Sequence, residues 1–217
     1  MSFIANAIFS LSIAIGGLIG LIRARKTDHD FLPFLILLWL GCLNEILSIV
    51  IISRGISNVV LYNTFTLVES LLICWQFRKW GLFNDRVAWY FFLQCLVVGT
   101  WIYMHFIRSN IHVFNSGFIM GHSVLAVALS IRILNRLSLS FTKDIMTNPI
   151  FLICIGIFIY FTYAILVEAF WVYGLNHSRA FRVRIYAILT YINLFTNILF
   201  AFAAAWIPLK RQYLLQS

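Results

Sequence analysis

Polar and apolar positions fall in long blocks along this chain rather than alternating singly. Apolar stretches run over 3–22, 31–52, 59–77, 87–107, 112–134, 149–172 and 185–207, separated by charged or turn-forming residues. Each is close to the ~20 apolar residues that an α-helix needs to cross a bilayer core. Strands of a membrane barrel would alternate apolar and polar residues over ~10 positions. Phe31 to Trp39 and Ile150 to Phe161 are instead apolar on every side, which predicts helices. End signals agree: Asn148-Pro149 reads as an N-cap followed by proline at the first helical position. Pro208 follows the last apolar run, where it would stop a helix. The pattern predicts one all-α domain over 1–217, a bundle of seven transmembrane helices.

Composition sharpens this reading. The 217 residues are 62% hydrophobic, 17% aromatic and only 11% charged, with mean hydropathy +0.94. Soluble domains are nearer 45–50% apolar and ~25% charged, so the chain has too little polar surface for water. The spans leave no length for a sizeable soluble domain.

Charge predicts the orientation. Lys and Arg in the first, third and fifth loops and the tail (Arg23, Arg25, Lys26; Arg78, Lys79, Arg86; Arg132, Arg136, Lys143; Lys210, Arg211) number eleven against five in the other loops. By the positive-inside rule the N-terminus lies outside and the C-terminus in the cytoplasm. The first span has no basic residue before its apolar run and its basic cluster behind it, unlike a cleaved signal peptide. The sixth loop departs from the rule, with Arg179, Arg182 and Arg184 on the outer side. A net charge of +9 spread over helix ends speaks for anionic headgroups and topology, not for a nucleic-acid stripe. Cys42, Cys74, Cys95 and Cys154 all lie within spans without CxxC spacing, and read as small buried hydrophobes.

Candidate chemistry comes from the acidic residues. Asp28, Asp30, Asp85 and Asp144 fall in the loops expected to be cytoplasmic, whereas Glu45, Glu69 and Glu168 fall inside spans. A carboxylate near a helix centre costs about 2.5–3.5 kcal/mol on insertion scales, so all three are expected to face the bundle interior. Tyr62, Thr66, Glu69 and Gln76 stand at offsets of 4, 7 and 14 on one helical stripe, and Tyr186, Thr190, Asn193 and Asn197 at offsets of 4, 7 and 11 on another. The predicted orientation puts Glu69, His122 and Asn197 near the membrane centre and Glu45, Asn193, Glu168 and His105 in the outer half.

The simplest arrangement is an outward-opening polar cavity. Glu45, Glu69, His122, Glu168, Asn193 and Asn197 would bind a ligand between walls of Tyr62, Tyr160 and Trp171. Duller roles compete: Asn193 and Asn197 as bonds between helices, and the pairs Gly16/Gly20 and Gly117/Gly121 as close helix contacts.

Three functions follow. The first is a receptor-like or sensory module for a small, partly apolar ligand, with no cofactor, reporting to a separate cytoplasmic partner. The second is a membrane-embedded lipid hydrolase, in which His122, His105 and Glu69 would hold zinc, or Ser48 or Ser70 would act with His122. The third is a proton-coupled carrier relaying through the glutamates; the lack of an internal repeat counts against it.

The span count and outside N-terminus resemble microbial rhodopsins. Those hold retinal on a lysine of the seventh span, and the lysines here are Lys26, Lys79, Lys143 and Lys210, all outside it. Membrane ceramidase-like and adiponectin-receptor-like hydrolases have a similar span count, but their last-helix histidines have no counterpart in 185–207. Leu43-Asn44-Glu45, Tyr62-Asn63, Val68-Glu69 and the tail Trp206-Ile207-Pro208-Leu209-Lys210-Arg211 resemble small uncharacterised seven-helix inner-membrane proteins of Gram-negative bacteria. That resemblance implies a multi-pass inner-membrane location and transfers no activity.

Overall fold

A computed structural model describes residues 3–24, 26–84, 86–140, 145–172 and 178–208. Arg25, Asp85, Lys143, Asp144, Lys210 and Arg211, used above for charge, lie outside the described residues. The elements are α1 (Phe3–Ser10), α2 (Ile13–Arg23), α3 (Leu32–Ser53), α4 (Val59–Lys79), α5 (Val87–Ile102), α6 (Ser116–Ser140), α7 (Pro149–Val172) and α8 (Arg179–Trp206). Among the described residues, seven helices are long and apolar enough to cross a membrane, with α1 and α2 sharing one span.

The helix ends follow local chemistry. Asn148 Oδ1 accepts from the backbone N–H of Ile150 at 2.9 Å, capping α7 as its sequence predicts. Gly55 and Gly81, at φ 74° and 77°, close α3 and α4. In each case the glycine N–H and the next N–H turn back onto carbonyls of the last helical turn, Ile56 to Ile51 and Leu82 to Phe77 at 3.1 Å each. This glycine closure requires a left-handed residue that a Cβ would strain. Three boundaries differ from the sequence expectation. The first span is broken at Leu11–Ser12, α6 begins at Ser116 rather than 112, and α8 begins at Arg179 rather than 185. Arginines ended the apolar run at 185 but do not end a helix, so α8 carries its polar stripe further toward its N-terminus.

The helices close a ring in the order α2, α3, α4, α6, α7, α8 and back to α2, while α5 lies outside on α4 and only grazes α6. One half of the ring is filled by a dry apolar layer in which Phe34, Phe77, Ile153, Cys74 and Cys154 are each at most 2% exposed. Buried apolar packing of this kind tolerates neither water nor an unpaired charge. The polar cavities that carry the three glutamates' neighbours open toward the end that carries the N-terminus. The opposite end, carrying Pro208, is strapped by Gln76, which accepts from Phe34 N–H at 2.8 Å and donates to the Asp30 carbonyl at 2.7 Å. Arg23 there donates to the carbonyls of Ala205 and Ile207, capping the end of α8.

Glycine packing divides in two. A Cβ on Gly16 would lie 3.4 Å from the Ala201 backbone, so α2 and α8 approach closely there as expected. Gly117 and Gly121 meet no neighbouring backbone, and a Cβ on Gly117 would touch only the Asn115 and Met104 side chains. A Cβ on Gly121 would meet nothing within 4 Å, and these glycines border an open seam beside α5. The expectation of a close helix contact at that pair is therefore corrected.

Candidate functional site

At the N-terminal end of the bundle a vestibule of about 660 Å³ opens between α1, α3, α7 and α8. The α8 stripe supplies its main wall: Arg182, Tyr186, Thr190 and Asn193 line it at the spacing of successive helical turns. Glu45 of α3, Tyr160 and Trp171 of α7, and Asn6 and Ser10 of α1 complete it. Below lies a narrower cavity of about 80 Å³ whose polar lining includes Glu45, Glu69, Tyr160, Asn193, Thr196 and Asn197. Glu45, Tyr160 and Asn193 border both spaces, so the two are adjacent. The lower cavity ends on Leu38, Ile73, Ile157 and Phe200, beyond which the dry layer begins.

The three glutamates converge, but not equally. The Tyr160 phenol is within electrostatic reach of Glu69, Glu45 and Glu168 and is their common neighbour. Glu45 accepts from the Ser10 hydroxyl. Glu168 accepts from Ser116 at the start of α6 and lines neither space. Glu69 faces the lower cavity and touches His122 Nε2 at 3.3 Å.

That contact fixes the protons on the histidine. His122 Nδ1 lies 2.8 Å from Ser70 Oγ, and Ser70 Oγ donates to the Thr66 carbonyl at 2.7 Å. A carbonyl only accepts, so the single serine proton is committed to Thr66 and Nδ1–H must donate to the serine oxygen. Nε2 then either accepts from a protonated Glu69 or, as part of an imidazolium, donates to its carboxylate. One proton is shared between Glu69 and His122 in both cases. The histidine side chain is 2% exposed and the glutamate 21%, so the pair has a dry side and a wet side.

The expected wall residues divide between the vestibule and its surroundings. Tyr160 and Trp171 stand in the vestibule, and Trp171 Nε1–H donates to the Tyr186 hydroxyl at 2.6 Å. Tyr62 lines neither space, its ring packing edge-on to Phe114 with centroids 5.4 Å apart, but it stays in the same cluster, within electrostatic reach of Tyr160, Glu69, Glu168 and Tyr186. His122 also lies off the cavity wall, behind Glu69, and borders the seam between α5 and α6. Asn197 does both jobs. It lines the lower cavity and donates to Ser12 Oγ at 2.9 Å, tying α8 to the break between α1 and α2.

The zinc trio is not assembled. His105 sits in a π turn (Tyr103–Ile107) after α5, with Nδ1 2.9 Å from the Trp101 carbonyl. The Phe118 ring packs against both imidazoles, with centroids 5.7 Å from His105 and 6.4 Å from His122. Among the described residues no three His, Cys, Asp or Glu side chains gather to hold a metal. Ser48 does not approach His122; it accepts a hydrogen bond from Asn58.

Arg182, Asn6 and Ser10 are site residues that the apolar pattern missed. Arg182 stands four residues before Tyr186, so extending the α8 stripe by one turn would have found it. The three arginines against the positive-inside bias were the second signal. Compared with known proteins, the chain matches no family model, no curated protein and no solved structure.

Proposed function

We propose that this protein is a receptor-like or sensory multi-pass membrane protein that binds a small, partly apolar ligand in the vestibule. The observation that carries the reading is the shape of the polar space. A vestibule of about 660 Å³ narrows onto Glu45, Tyr160 and Asn193 and ends blind on packed apolar side chains. Ligand sites of 300–1,000 Å³ with aromatic walls and a few convergent polar groups are the usual pattern for one small molecule. Asn193 makes no side-chain hydrogen bond with any described residue and lines both spaces, so its amide is available to a ligand. Glu45 and Arg182 offer a negative and a positive group in the same vestibule, while Trp171 and Tyr186 offer apolar faces.

The blind end supports binding over passage through the bundle. The protons at Ser70 weigh against hydrolysis: its hydrogen is committed to Thr66, its oxygen already accepts from His122, and it is 1% exposed, so it is no activated nucleophile. The orientation belongs to the same proposal. With the vestibule outside and the Pro208 end in the cytoplasm of an inner membrane, the ligand arrives from the exterior and a cytoplasmic partner reads the bundle from the other end. In a variant lacking the four native cysteines, Ser57→Cys is then labelled by an impermeant maleimide in intact cells. Asn84→Cys is labelled only after permeabilisation, and the reverse pattern would invert the assignment.

Ligand binding is tested by mass spectrometry of small molecules retained through purification in mild detergent. The wild type retains a discrete species that Asn193→Leu and Glu45→Leu lose while keeping their helical circular dichroism. Equal retention by both variants would remove the vestibule as the site.

A further inference from the structure

We propose that the seam between α5 and α6 is a binding site for one anionic phospholipid, with its phosphate on Arg86 and Arg132 and an acyl chain along the seam. The site is separate from the vestibule. α5 packs on α4 and leaves its α6 side open. Two cavities lie in series along that opening, about 460 Å³ and about 340 Å³, and Leu93 borders both. The larger carries Arg86, Arg132 and Trp89 at its mouth. The second is apolar over Leu96, Val97 and Phe118, and it ends near Met104 and the His122 ring.

Three features point to a phospholipid. First, the glycines keep the seam open: no atom lies within 4 Å of a Cβ placed on Gly121, so the groove is wide where a side chain would ordinarily fill it. Second, the length suffices. Arg86 to Met104 is eighteen residues, about 27 Å of helix rise, room for a headgroup at the arginines and for an acyl chain that spans the ~15 Å of one hydrocarbon leaflet. Third, the charges need a partner. Arg132 lies within the apolar span of α6, exposed on its surface, and neither it nor Arg86 pairs with an acidic group among the described residues. An arginine at that depth pairs with an anion or reaches for the interface. Two guanidinium forks suit phosphate oxygens, and Trp89 is of the type that sits at headgroup level. A soluble anion would satisfy the arginines but not the apolar corridor; a neutral lipid would fill the corridor but not the arginines.

The test is native mass spectrometry of the full chain released from detergent, titrated with phosphatidylglycerol or phosphatidylcholine of matched acyl chains. The wild type is expected to hold one phosphatidylglycerol at several-fold higher occupancy than phosphatidylcholine, undiminished by millimolar inorganic phosphate. Arg86→Gln with Arg132→Gln lowers phosphatidylglycerol to the phosphatidylcholine level. Gly121→Leu, which blocks the corridor and leaves both arginines, lowers both lipids. Equal occupancy of the two lipids in the wild type, or full retention by the double variant with an unchanged thermal midpoint, would overturn the proposal. Displacement by inorganic phosphate would also overturn it, as would efficient Leu96→Cys cross-linking between copies, which would make the seam a protein interface.

Discussion

Replacing His122 by Phe and Glu69 by Met, singly and together, isolates the one contact that joins the wet interior to the dry one. Phe keeps the ring that packs against Phe161, whose centroid lies 4.9 Å from the imidazole, so little packing is lost. Ser70 keeps its bond to Thr66. What His122→Phe removes is the partner of Glu69, which still faces the cavity, whereas Glu69→Met leaves the buried His122 Nε2 unsatisfied at a cost of about 1–3 kcal/mol. Polar contacts between membrane helices average only about 0.6 kcal/mol and reach about 1.7. The Glu69–His122 contact belongs near the upper end, because Glu69→Met strands the Nε2 of a histidine that is 2% exposed and held by Ser70, where water cannot replace the lost partner. A coupling of about 1–2 kcal/mol is expected from the double-mutant cycle. The assay is equilibrium unfolding in mixed micelles followed by tryptophan fluorescence for the four proteins. Single and double losses that add to within about 0.5 kcal/mol would refute the shared proton.

Other consequences are open to direct measurement. Gly156→Ala places a Cβ 2.6 Å from Phe200 Cε1, and this ring is already packed on Phe34, so the variant is expected to lose about 1–3 kcal/mol in the same assay. Gly121→Ala meets nothing and is expected to be neutral or to gain up to about 1 kcal/mol of helix propensity. Asn148→Ala removes the cap of α7 at a cost of about 1 kcal/mol, whereas Asn148→Asp keeps the acceptor and most of the stability. Arg23→Lys does not replace the fork that reaches both Ala205 and Ile207, so hydrogen exchange should quicken in the last turn of α8 in that variant as it does in Arg23→Ala.

The helices were legible because lipid demands long unbroken apolar runs, and nothing else in the chain imitates them. The convergence of Glu45 and Glu69 was legible too, since burying a carboxylate in lipid is so costly that an interior position is the default. Sequence could not supply neighbours. Gly16/Gly20 and Gly117/Gly121 have the same spacing, yet the first pair packs against α8 at Gly16 and α3 at Gly20 while the other borders an open seam, a difference decided by where α5 lies. Tyr62 shares a stripe with Glu69, but its turn of α4 faces the 111–114 segment, where Asn63 holds the Ile111 and Val113 carbonyls at 2.8 and 3.0 Å. Arg182 was set aside as a loop charge because hydropathy ended the span at 185. The break at Leu11–Ser12, which brings Ser10 to Glu45, carries neither proline nor glycine to announce it.

The central claim is that Asn193 and Glu45 line a water-filled space open at the N-terminal end and closed beyond Phe200. The most direct test is the reaction of Asn193→Cys, in a background lacking the native cysteines, with a charged methanethiosulfonate reagent added to intact cells. The account predicts ready modification at position 193 and none for the single native thiol Cys154 restored to the same background, which lies in the dry layer. An inert Asn193→Cys, or a Cys154 modified as fast, would contradict it.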